Sequence, residues 1–153
     1  GFEIIALEKD KIGKAIEIAP VLIYSSLSEA KPIINSGLLN ELRKNNSPSS
    51  EDFKEYVEET RRIIKINEEM PSPDPYSVIL RLRGIYIIKG LLSRRHYSYK
   101  GFRSWILENV KSIDFDSVYS SYLKIKRGFK ANTSEKDLKF LLSFLKSQTE
   151  KIL

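Results

Sequence analysis

From residue 50 onward apolar side chains return every third or fourth position, the spacing that lays a single stripe along an α-helix. Phe53, Tyr56, Val57, Thr60, Ile63 and Ile64 form the first stripe, with Ser49 or Ser50 as its cap. The run MPSPDPYS stops that helix, and Asp74-Pro75 opens a second as N-cap and first-turn proline. Val78, Ile79, Leu82, Ile85, Tyr86, Ile88, Leu91 and Leu92 carry the second to Ser93. A third runs from Ser98 to Lys111 on Phe102, Trp105, Ile106 and Val110. Asp114 or Asp116 begins a fourth with Val118, Tyr119, Tyr122 and Ile125, ending near Gly128. Thr133 or Ser134 caps the last, striped by Leu138, Leu141, Leu142, Leu145 and Ile152. Five helices on short connections predict a mainly α, up-and-down helical bundle.

The first 45 residues follow another pattern. Phe2–Leu7 (FEIIAL) predicts a strand, and Ala19–Ala30 a helix. Lys31–Asn35 (KPIIN) predicts a short strand that Pro32 confines to a sheet edge. One or two strands do not stand alone as a sheet. This small strand-containing α/β appendage therefore packs on the bundle, pairs with another chain, or is the remainder of a larger α/β domain. NNSPSS (45–50) is the expected linker between an appendage at 1–45 and a bundle at 50–153. An unpaired strand invites self-association, so a homodimer is expected.

A hydrophobic share of 41% supports a real core, and 30% charge is not the composition of a disordered chain. The absence of cysteine removes disulfides, thiolate metal sites and cysteine nucleophiles together. With no apolar run of spanning length and no signal-peptide pattern, a cytoplasmic protein without a membrane partner is expected. One Met, no Cys and abundant Lys, Glu and Ile resemble a thermophile's usage.

Charge changes the picture more. The net charge is +6, but Glu51–Glu69 holds seven carboxylates, whereas Pro75–Leu107 holds none. That acid-free stretch carries Arg81, Arg83, Lys89, Arg94, Arg95, Lys100 and Arg103. Positive charge gathered on an ordered scaffold attracts phosphates, so RNA or a nucleotide is the expected partner. Arginine would bind through its bidentate fork and lysine as a point charge. Arg81 and Arg83 have a second use, pairing with Glu55, Glu58 or Glu59 of the first bundle helix. Arg94, Arg95 and Lys100 have no acidic neighbour in sequence. Tyr97 and Tyr99 interleave with these cations as candidate base-stacking groups. Phe102 and Trp105, three apart, belong to the core. Lys124, Lys126, Arg127 and Lys130 surround Gly128, where cations also favour a helix C-terminus. His96, the only histidine, sits beside Arg94 and Arg95, which would repel a metal; an exposed, structurally idle residue is expected. No catalytic constellation, metal site or cofactor site emerges.

Four stretches carry a resemblance: YSVILRLRGIYIIKGLL (76–92), YSYKGFRSWIL (97–107), YSSYLKIKR (119–127) and SEKDLKFLLSFLKSQTEKIL (134–153). Their order resembles the HEPN helical domains that accompany minimal nucleotidyltransferases, over about residues 50–153. FEIIAL and APVLIYSSLSEAKPIIN resemble the last strand and closing segment of the nucleotidyltransferase domain itself, which would set Glu3 at its third metal-binding carboxylate. A Gly-Ser motif followed by the paired Asp-x-Asp of that domain is absent, so two-metal phosphoryl transfer has no site here. The catalytic half is then missing from this chain or resides in a partner nucleotidyltransferase subunit. HEPN ribonucleases place Arg, then four to six residues, then His near the start of the last helical section; here Arg127-Gly-Phe-Lys-Ala leads to Asn132. The resemblance thus implies a non-catalytic nucleotide- or RNA-associated binding module. Two alternatives are a nucleotidyltransferase or ribonuclease component that depends on a partner, and a structural dimerisation domain.

Overall fold

In the computed structural model, which describes residues 8–152, side-chain caps mark where four of the bundle helices begin. The Asp74 carboxylate accepts from the Tyr76 and Ser77 amides and opens α5 (Pro75–Leu92). Ser98 accepts from Gly101 N at the head of α6 (Tyr99–Asn109). Asp114 accepts from Ser117 N before α7 (Phe115–Lys126), and Ser134 from Asp137 N before α8 (Glu135–Thr149). Each cap satisfies an amide that the first helical turn leaves unpaired. The helix α4 (Lys54–Glu69) starts otherwise. A single 3-10 turn, Glu51–Phe53, leads into it, and Ser50 makes no side-chain cap. Asp52 instead accepts from Ser49 N and Oγ, at 2.7 and 2.9 Å.

Three further helices precede these: α1 (Ile12–Ile18), α2 (Pro20–Glu29) and α3 (Ser36–Asn45). The described residues therefore hold eight α-helices, where five and one appendage helix were expected, and no strand. The expected strand at Phe2–Leu7 and the Glu3 position lie outside them. The expected strand at Lys31–Asn35 is instead a bend leading to a cap, with Asn35 in the left-handed region at φ 58° accepting from Leu38 N. Asn tolerates that conformation better than other non-glycine residues, and its side chain starts a helix where an edge strand was expected.

The chain order of the bundle is not its packing order. The helix α5 packs chiefly on α7, α8 and α2, and α4 chiefly on α8, whereas an up-and-down arrangement would favour consecutive pairs. Val78, Ile79, Leu82, Ile85 and Ile88 of α5 are wholly buried, as expected of a helix that is apolar on most of its circumference. Each such side chain contributes about 1.5–3 kcal/mol by leaving water. The core is continuous with the N-terminal helices: Ile12, Ile16, Ile23 and Tyr24 belong to the same buried cluster as Phe53, Val57 and Leu141. At Gly84 the helix has no side chain, and a Cβ there would lie 1.8 Å from Tyr56 Oη. The Tyr56 ring thus lies directly on the α5 backbone.

Candidate phosphate-binding cleft

The helix α5 ends by turning sharply onto itself. Ser93 N bonds to Lys89 O and Gly90 O, and Arg95 N to Gly90 O at 2.7 Å. Between them Arg94 adopts a left-handed φ of 55°. Glycine normally fills such a helix-ending position, and a side chain there costs about 1–2 kcal/mol. The turn also needs Gly90, because a Cβ at that residue would stand 2.9 Å from the Arg95 carbonyl oxygen. Gly90 lets the chain double back, and the doubling back sets Arg94, Arg95 and His96 in a row.

That row is one wall of a cleft of about 740 Å³. The end of α2, Lys31, Arg43 and the connection at Asn46–Pro48 form the others, with Leu27 and Leu91 as apolar lining. The turn is tied across to α2, since His96 Nδ1 lies 3.0 Å from Ser28 Oγ in a hydrogen bond whose donor depends on the ring tautomer. His96 is exposed, as expected, but it is not idle. Arg43 is committed to the fold. Its Nε donates to Leu27 O at 2.7 Å, and its Nη2 to Ser28 O and Ala30 O at 3.2 and 2.6 Å. These are carbonyls at the C-terminus of α2, which a guanidinium satisfies and favours electrostatically. Tyr24 closes the lining; its hydroxyl donates to Asp52 Oδ2 at 3.1 Å, and burial, then Asp52, pushes its pKa up to about 12.

The remaining cations of the cleft are free for a ligand. Among the described residues, Arg94, Arg95 and Lys31 form no ion pair. Glu29 is the one carboxylate in the lining, and it accepts from Ser25 Oγ.

Of the other expected contacts, Arg81, Arg83 and Arg103 are used inside the protein. Arg81 pairs with Glu59 at 2.9 Å and lies 5.0 Å from the Tyr56 ring centroid, its side chain only 13% exposed. That bond holds the Glu59 carboxyl below its ordinary value. Arg83 rests 4.8 Å from the Tyr97 ring centroid, with Tyr119 and Tyr122 close enough to help hold its charge against burial. Arg103 makes a bidentate pair with Asp116, at 2.9 and 2.6 Å, which holds that carboxyl low. Lys100 is exposed at the head of α6 and does not line the cleft. The two stacking candidates differ in exposure, Tyr97 being half-buried and Tyr99 41% exposed. Tyr97 packs against Tyr86 and Phe102, and Tyr99 lies 4.7 Å from Tyr119. Phe102 is wholly buried and Trp105 half-buried against Phe144. Lys124, Lys126, Arg127 and Lys130 are exposed around Gly128, whose φ is 84°, away from the cleft lining. Lys31, Arg43 and Ser28 escape sequence reasoning because they belong to the segment read as an α/β appendage.

Among the described residues no group of three or more His, Asp or Glu side chains converges as a metal site would require. No described helix is long and apolar enough to cross a membrane. No protein-family model matches the chain, and no curated protein or solved structure does either.

Proposed function

We propose that the chain is a non-catalytic binding module for a nucleotide or RNA, holding phosphate at the α5–α6 turn, as a helical domain of the nucleotidyltransferase-associated HEPN type would. One observation carries this reading: Arg94 and Arg95 lie side by side on the wall of a roomy cleft, without a carboxylate partner among the described residues, above an apolar lining. Pockets of 300–1,000 Å³ with mostly apolar walls and a few placed polar groups are the usual form of small-ligand sites. Two guanidiniums offer bidentate donors to phosphate oxygens, and Leu27 and Leu91 offer apolar surface to a base. The left-handed Arg94 supports the same reading, since strained residues concentrate where ligands are held.

The test is binding of the full chain to labelled single-stranded RNA and to ATP, beside Arg94→Ala/Arg95→Ala. Two phosphate contacts would weaken RNA binding about five- to tenfold between about 50 and about 200 mM salt. The double variant should lose about 2–4 kcal/mol of binding for either ligand. Binding of both ligands that is indifferent to the two arginines would sink the proposal.

A further inference from the structure

The turn that walls the cleft has a second side. Arg95 and His96 also line a smaller depression of about 200 Å³, whose opposite walls come from α5 and α6. Tyr86, Tyr97 and Trp105 make that depression aromatic, and Lys89 makes it cationic. Lys89 Nζ donates to Gln148 Oε1 at 2.6 Å and stands 5.7 Å from the Trp105 ring centroid. Burial, then the charges of Lys151 and Arg95, lower the Lys89 pKa, and Arg95 stands with Lys89 in the lining. Glu108 is exposed at the margin.

The arrangement is thus a ridge, Arg95–His96, cationic at Arg95, with a depression on each side: the larger lined by Leu27, Leu91 and Tyr24, the smaller by Tyr86, Tyr97 and Trp105. An anionic linker between two ring systems is the chemistry that fits it, and a phosphodiester between two bases is such a linker. We infer that the ligand crosses this ridge as a short single strand of at least two nucleotides, its phosphodiester on Arg95 and a base on each side. This rests on the proposed nucleotide-binding reading and narrows it from a mononucleotide to a strand. Either sugar satisfies it, because the contacts invoked are to the phosphodiester and the bases alone.

Trp105 is the only tryptophan and lies in the smaller depression, so it reports occupancy there directly. The full chain would be titrated with AMP and with 5′-phosphorylated diadenylate in its ribo and deoxy forms, reading heat for affinity and Trp105 fluorescence for position. At least one dinucleotide should bind about tenfold or more tightly than AMP, the gain of one further stacked base, and should change Trp105 emission while AMP does not. Ser104→Phe, at an exposed position lining the smaller depression, should return the dinucleotide to the AMP affinity and leave AMP binding unaltered. Glu108→Arg, also exposed, should tighten the dinucleotide alone, which keeps the test open if the first variant folds poorly. Equal affinities for AMP and both dinucleotides would overturn the inference and leave the cleft reading standing. Absence of binding by all three would overturn both.

Discussion

Arg83 and Arg94 come from one acid-free stretch, yet they live in different surroundings. Arg83 is half-buried in the middle of α5 against Tyr97, and its Nε has no hydrogen-bond partner in the protein. Arg94 is exposed in a left-handed turn, on the wall of an open cleft. The first is held by aromatic faces that the α5–α6 turn and α7 bring to it. The second is held by its backbone alone. The difference teaches that cation density along a chain does not locate a site. What decides is which groups on other elements the fold brings within reach. Glu59 takes Arg81 and Asp116 takes Arg103, whereas Arg94 and Arg95, where α5 ends, form no ion pair among the described residues.

The comparison breaks first at Arg83. Arg83→Ala removes a cation–π contact and the packing of a long stem, and should cost about 2–3 kcal/mol, measured as a lower urea midpoint. A loss below about 0.5 kcal/mol would show that Arg83 is as idle structurally as a surface arginine. Nucleotide binding by the variant that still folds should be unchanged.

A middle-sized effect concerns the cleft lining. Tyr24 keeps its proton to about pH 12 in the folded chain, whereas an unfolded tyrosine releases it near 10. Between those values the unfolded state binds fewer protons, so this contribution is complete below pH 10 and is lost as pH rises toward 12. Its loss should weaken the fold by up to about 2 kcal/mol. Urea titrations near pH 9 and near pH 11.5 should show a smaller alkaline loss for Tyr24→Phe than for the native chain. Equal losses would mean that neither burial nor Asp52 holds the hydroxyl proton in solution.

The smallest effect on stability sharpens the comparison most. Arg94→Gly relieves a left-handed side chain but gives the unfolded chain more freedom, and the two nearly cancel. Its stability should stay within about 0.5 kcal/mol of the native chain, while RNA binding weakens about tenfold. A clear loss of stability would place Arg94 in the same structural class as Arg83.

The bundle was readable because its helices announce themselves locally. Asp74, Ser98, Asp114 and Ser134 each stand one residue before a helix that the apolar spacing also marks. The N-terminal third was readable only in α2. Leu38, Leu39 and Leu42 of α3, and Ile12, Ala15 and Ile16 of α1, do carry helical spacing, but both helices are short, and the Ser-Gly pair opening α3 masks its start. KPIIN reads as a strand because β-branched residues follow a proline; nothing local reveals that Asn35 turns left-handed. For the site, Arg94 and Arg95 were legible as loop cations in an acid-free run. Their opposite wall was not. Which arginines would be neutralised depends on contacts between elements far apart in sequence, such as Glu59 with Arg81, and no spacing rule contains that information.

Arg43 gives the N-terminal third an unusual tolerance. Its guanidinium grips Leu27 O, Ser28 O and Ala30 O from α3, so it holds the two sides of the connector Lys31–Asn35 together without using the connector itself. Ile33 and Ile34 in that connector are almost fully exposed. A proteolytic nick between Pro32 and Ile34 would therefore sever the polypeptide but not the attachment. The clamp would carry the connection that the peptide bond had carried, and the cleft wall would survive the cut.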